Sequence, residues 1–91
     1  MDLLDLLGRR WAMRVIWELR EGPMTFRELQ AACGGISSSV LAQRLAELRE
    51  AGIAADANVL TDDGRDLLEA YKPLGEWAKR WARRRRADGT S

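Results

Sequence analysis

The side chains with the most chemical potential here are few and unevenly placed. Arg80, Arg83, Arg84, Arg85 and Arg86 crowd one end of the chain. Such a cluster attracts phosphates non-specifically, or complements the negative end of a helix dipole. Four tryptophans, Trp11, Trp17, Trp77 and Trp81, are many for 91 residues. Trp77 and Trp81 are four apart and share a helix face, whereas Trp11 and Trp17 point to different sides. Their ordinary use is a core or a subunit interface. Their sharper use is an aromatic cavity for a flat apolar ligand. Cys33 is the only cysteine. With Arg27 as the only basic residue of its helix and no histidine beside it, it reads as a core filler before a redox sensor.

What is missing excludes more. Zero His removes the commonest general base and metal ligand. One Cys removes any internal disulfide or multi-thiolate zinc site. There is no Gly-rich phosphate loop and no nucleophile–base pair, and the carboxylates are scattered at ordinary surface spacing. No enzyme activity, metal or cofactor is expected. The length allows one small domain, with only about 60–65% of the unfolded surface buried. No apolar run exceeds three residues, so no membrane span or membrane partner is expected. The start, Met1-Asp2-Leu3, does not read as a signal peptide. A cytoplasmic chain with a reduced thiol follows.

The positioning elements can be read from periodicity and punctuation. A first helical region runs from about Leu3 to Arg20, with Asp2 as a cap and Gly8 as a dividing point. Ala12, Val15, Ile16 and Leu19 form its apolar stripe, and Gly22-Pro23 stops it. Thr25-Phe26-Arg27-Glu28 is a capping box, flanked by the staple pair Met24 and Leu29. That helix ends at Gly34-Gly35. Ser37 caps a third helix, with Ile36 and Leu41 as its staple. Leu41, Leu45 and Leu48 make a buried stripe, while Ser39, Gln43 and Glu47 lie opposite. Residues 53–60 are too short for a normal helix and fit a very small hairpin turning near Asp56-Ala57-Asn58. Thr61 caps a long last helix whose stripe is Leu67, Leu68, Tyr71, Leu74, Trp77, Ala78 and Trp81. Pro73 is expected to kink or break it near Lys72.

Two short helices joined by a Gly-containing turn, the second amphipathic and followed by a hairpin, make a winged helix-turn-helix. The fold class is mainly α: a three-helix core, a very short β-hairpin wing and a long C-terminal helix. The domain spans residues 1–86, and 87–91 are expected to be a disordered tail.

The chain resembles the HxlR-type winged helix-turn-helix regulators, relatives of the MarR-like group, from about Leu3 to Trp81. The matching words are Leu7-Gly8-Arg9-Arg10-Trp11 and Gly22-Pro23-Met24-Thr25-Phe26-Arg27-Glu28-Leu29. They continue through Gly35-Ile36-Ser37, Leu41, Arg44-Leu45, Leu48 and Gly52-Ile53, then Leu60-Thr61, Gly64 and Trp77. The resemblance implies a cytoplasmic homodimer that binds double-stranded operator DNA and regulates transcription. The N- and C-terminal helices would build the dimer, here through Leu3, Leu4, Leu7, Leu74, Trp77 and Trp81. The third helix, about Ser37–Ala51, would enter the major groove of a palindromic site.

Carried over by position, Gln43 and Arg44 fall where base edges are read, and suit adenine and guanine respectively. Ser37, Ser38 and Ser39 fall where hydroxyls and amides hold phosphate. Arg10 takes a position usually held by Lys, and Thr25 and Arg27 begin the positioning helix. Arg44 equally well pairs with Glu47, its i+3 neighbour. The chain departs from the pattern in three ways. There is no basic residue just after Ser37, the wing lacks a basic Pro-containing tip, and there is no cysteine near the N-terminus. Charge is also segregated: residues 1–78 hold 9 basic and 13 acidic side chains, and residues 79–91 hold 6 and 1. A second class of function is therefore open: a winged-helix dimer acting as a protein-interaction or ligand-binding adaptor, with weak, mostly non-specific DNA binding. A small aromatic ligand at the dimer interface belongs with it.

Overall fold

The computed structural model describes residues 2–89. Five α-helices and one two-stranded hairpin follow in the order α1 (Leu3–Leu7), α2 (Ala12–Glu18), α3 (Phe26–Cys33), α4 (Ser38–Glu50), β1 (Ala54–Ala55), β2 (Val59–Leu60) and α5 (Asp62–Gly89). This is the winged helix-turn-helix expected from the sequence.

The first helical region is divided, but not by glycine geometry. Gly8 is right-handed at φ −77°, and Trp11 takes the left-handed conformation at φ 78°. An L-residue there is strained by roughly 1–2 kcal/mol. Trp11 is partly buried against the core, and the Arg10 guanidinium lies 5.5 Å from its ring. Those contacts offset the strain. Asp2 occupies the N-cap position of α1, yet its side chain makes no capping hydrogen bond. α2 ends at Glu18, two residues before the expected limit.

The other start signals act as the sequence implies. Thr25 Oγ1 accepts from the Glu28 amide at 3.1 Å, and Glu28 Oε1 accepts from the Thr25 amide at 2.8 Å. Two of the orphan amides at the start of α3 are thereby satisfied. Gly34 closes α3 in the left-handed region at φ 58°, where a Cβ is disfavoured. Ser37 Oγ accepts from the Val40 amide at 3.2 Å and starts α4.

The core lies where α1, α2, α3, α4 and the hairpin meet the first two turns of α5. Leu6, Val15, Ile16, Leu19, Leu29, Leu41, Leu45, Leu48, Leu60 and Leu68 are all buried. The hairpin pairs Ala54 with Leu60 and Ala55 with Val59, antiparallel, across a tight turn at Asp56–Asn58 in which Ala57 and Asn58 are left-handed at φ 64° and 56°. At its base Thr61 is shared between strand and helix. Its amide donates to the Ile53 carbonyl at 3.0 Å, and its hydroxyl accepts from the Gly64 amide at 3.0 Å. Gly64 is buried, and any Cβ there would run into the Ile53 carbonyl oxygen. The crossing of hairpin and α5 therefore requires glycine.

Two expectations about α5 change. Of the kink or break expected at Pro73, the break does not occur, and the helix runs on through Pro73 to Gly89. Residues 87–89 are thus helical rather than part of a disordered tail, and residues 90–91 lie outside the described residues. Among the described residues no helix is long and apolar enough to cross a membrane.

Candidate nucleic-acid interface

α4 is built with two unlike faces. Leu41, Leu45 and Leu48 anchor it in the core. Ser38, Ser39, Ala42, Gln43, Ala46, Arg49 and Glu50 are exposed. At 100° per residue these exposed positions occupy one arc of the helix. At its start, Ser37 Oγ lies 3.3 Å from Ser39 Oγ, and Ser38 is the first helical residue. α3 precedes it and packs against α2, with Thr25 at its cap and Arg27 exposed in its first turn. Arg10 is exposed beside the α1–α2 turn.

Arg44 does not join the outward arc: it is turned inward, which does not fit its expected use as a base reader. Its side chain is only 10% exposed. Nε donates to the Arg10 carbonyl oxygen at 2.9 Å, and Nη1 donates to Glu47 Oε1 at 2.7 Å. Arg9 Nε approaches the other Glu47 oxygen at 3.4 Å. Of the two expected uses of Arg44, the pairing with Glu47 is the one adopted. The i+3 spacing of that pair was visible in the sequence. The arrival of Arg9 and the Arg10 carbonyl, some 35 residues away in the chain, was not.

The hairpin is held against the body. Asn58 Nδ2 donates to the Met24 carbonyl at 2.9 Å, so the tip is tied to the segment before α3 instead of projecting. Nothing in residue type or spacing announced that bond.

Cys33 is buried, and burial pushes its thiol up from its ordinary value; nearby Arg14 lowers it and Glu18 raises it. That is an inert setting for a thiol, since the thiolate is the reactive form. Arg14 itself donates to Glu18 at 2.8 Å and to the Ala32 carbonyl at 2.9 Å.

A separate apolar surface runs along α1 and α5. Leu3, Leu4, Leu74, Trp77 and Trp81 are exposed, Leu4 by 74%. Leu7, expected among them, is instead partly buried against the core. Between α2 and α5 lies an open groove of about 520 Å³ lined by Met13, Trp17, Tyr71 and Gly75, with Arg14, Lys72, Glu76 and Lys79 also lining it. Trp17 lies under the Arg20 guanidinium at 4.1 Å.

Comparison with known proteins agrees with this architecture. Residues 6–86 match the family model described as HxlR-like helix-turn-helix. The chain is 30% identical over 88 residues to the HTH-type transcriptional regulator YvaP of Bacillus subtilis, covering 86% of this chain and 82% of that one. Its fold is similar to the quinone-bound crystal structure of YodB from B. subtilis, with TM-score 0.78, 32% identity, and coverage of 85% and 91%. It is also similar to a possible HxlR family transcriptional factor from Thermoplasma volcanium, with TM-score 0.76, 25% identity, and coverage of 91% and 84%. The chain belongs to the HxlR-like helix-turn-helix family of transcriptional regulators.

Proposed function

We propose that two copies of this chain form a homodimer that binds a palindromic operator, each copy laying α4 in the major groove. The observation that carries this is the one-sidedness of α4. Its leucine stripe is fully committed to the core, while its opposite arc is exposed and uncharged over the first turns. A two-fold pair of such helices would sit about 34 Å apart, one turn of B-DNA. Ser37, Ser38 and Ser39 would meet phosphate at the start of α4. Arg10, Thr25 and Arg27 would hold the flanking backbone, and Gln43 would face base edges. The exposed leucines and tryptophans of α1 and α5 would be covered by the second copy. The tethered hairpin leaves α4 as the main source of specificity, with Arg80 and Arg83–Arg86 adding salt-sensitive attraction. DNA as the partner makes the cytoplasm the place of action.

A mobility-shift assay on DNA upstream of its own gene, at two salt concentrations with competitor, tests this. A discrete complex that survives competitor is expected. Weak binding that vanishes with salt would instead favour the adaptor reading.

The α2–α5 groove supports a second role beside the first. Its volume falls in the usual range for small-molecule sites, and Trp17 and Tyr71 offer flat apolar surfaces. The similar YodB structure is quinone-bound. A planar aromatic ligand there should quench tryptophan fluorescence saturably, and absence of saturation across a panel of such compounds would remove the role.

A further inference from the structure

We infer that the operator half-site read by this chain has an A·T core: Gln43 takes an adenine, Ala42 and Ala46 take thymine methyls, and α4 reads no guanine. The inference rests on the proposed insertion of α4 in the major groove. It follows from what Arg44 does elsewhere.

Each base pair shows a distinct pattern in the major groove, and side chains match it by chemistry. Arg and Lys suit the two acceptors of guanine, Gln suits the acceptor–donor pair of adenine, and alanine methyls suit the thymine methyl. Arg44 is the only basic residue in the first two turns and the middle of α4, and it is turned inward onto the Arg10 carbonyl and Glu47. A guanine reader is therefore absent from the reading portion of the helix. Among the described residues the Gln43 side chain makes no hydrogen bond within the protein, so both its amide groups are free for an adenine edge.

Ala42 and Ala46 are exposed and four residues apart, on the same arc as Gln43. Their methyls are small enough for α4 to approach the base edges closely. Ser39 lies on the same arc, one turn before Ala42 and Gln43, and is neutral, because a hydroxyl can donate to or accept from any base. Arg49 is the one exposed cation of α4, and it stands roughly 10 Å along the axis beyond Ala42. Recognition helices read bases with their N-terminal residues, so Arg49 falls over the sugar–phosphate backbone.

The test is a selection from a randomised duplex library with the full-length chain, run in parallel for the unaltered protein, Gln43→Ala and Arg49→Ala. Circular dichroism confirms that each variant folds. The unaltered chain is expected to enrich a palindrome with adenine and thymine at fixed core positions. Gln43→Ala should erase the adenine preference at one position per half-site, a loss of about tenfold in discrimination. Arg49→Ala should leave the motif intact and weaken all sequences alike. In the selected duplex, uracil in place of the core thymines should weaken binding several-fold, and 7-deazaadenine in place of the adenine should match the effect of Gln43→Ala. A motif with a fixed guanine at the core would overturn the inference and leave operator binding standing. So would an A·T preference indifferent to Gln43→Ala, to uracil and to 7-deazaadenine. Failure of the folded, unaltered chain to enrich any sequence would overturn the operator reading together with the inference.

Discussion

Arg44 and Arg10 are joined by one hydrogen bond, from the Nε of the first to the carbonyl oxygen of the second at 2.9 Å, and it ties α4 to the turn that separates α1 from α2. With the 2.7 Å bond to Glu47, it uses two directions of the guanidinium fork. The same turn holds the left-handed Trp11. The Arg44 guanidinium therefore holds α4 against the α1–α2 turn and is turned away from the exposed arc of that helix.

Arg44→Ala should accordingly lower stability by about 2 kcal/mol, because it leaves the Arg10 carbonyl and one Glu47 oxygen without partners in a nearly buried place. Arg44→Lys should recover part of this, since an ammonium lacks the planar fork needed to serve both acceptors. Urea unfolding with unchanged m-values measures it. A loss below about 0.5 kcal/mol for Arg44→Ala, typical of surface positions, would show that the network contributes little.

Gly64→Ala probes the crossing of the hairpin and α5. The new methyl would meet the Ile53 carbonyl oxygen, which already accepts from the Thr61 amide. Backbone cannot yield as a flexible side chain does, so a loss of at least 1–3 kcal/mol is expected, roughly the cost of overpacking a core. Thermal unfolding reads it. Gly75→Ala is the control, because a methyl at that position meets only the edge of the Tyr71 ring at an ordinary 3.4 Å or more.

These two sites show what the sequence can and cannot carry. Local signals were legible: the box at Thr25 and Glu28, the cap at Ser37 and the leucine stripe of α4 all depend on spacings of three or four residues. The family words placed Gly64 correctly, but its reason lies in the approach of Ile53, eleven residues earlier. Gly8 looked like the divider of the first helical region, whereas Trp11 supplies the left-handed residue because burial and Arg10 hold it there. On α4 the exposure of the serines and Gln43 is legible from their position opposite the leucine stripe. Spacing alone leaves Arg44 two uses, and only the tertiary arrangement, with Arg9 and the Arg10 carbonyl brought alongside, turns it to Glu47.

Glu28 gives a pH signature. The backbone amide and side chain of Thr25 hold its carboxyl below the ordinary glutamate value. A group depressed in the folded state contributes stability that is fully present above its unfolded value and is lost as pH falls through its folded value. Glu28→Gln should therefore be less stable than the unaltered chain at neutral pH, and the gap should narrow in the acid range below about pH 4.5. Urea midpoints across pH 3–7 check this. A gap independent of pH would mean that the ionised carboxylate is not what strengthens the box.

The exposed face of α5 supplies the last prediction. Leu74, Trp77 and Trp81 stand 58%, 48% and 48% exposed, on a helix whose first two turns alone reach the core. Large apolar groups clustered on one stripe mark an association surface. Burying one such side chain removes roughly 1.5–3 kcal/mol of unfavourable exposure, and a two-fold interface counts it twice. Trp77→Glu should then shift the chain from dimer to monomer at micromolar concentration, as read by light scattering after size exclusion. It should leave the melting profile of the core almost untouched, because Trp77 makes no part of it. Weakening the dimer should also cost operator affinity far more than affinity for a single half-site, since the second α4 is no longer held at effectively high concentration. An unaltered chain that runs as a monomer of about 10.3 kDa at such concentrations would contradict the homodimer directly. Equal losses on full and half operators in Trp77→Glu would show that Trp77 acts on DNA by some route other than pairing the two helices.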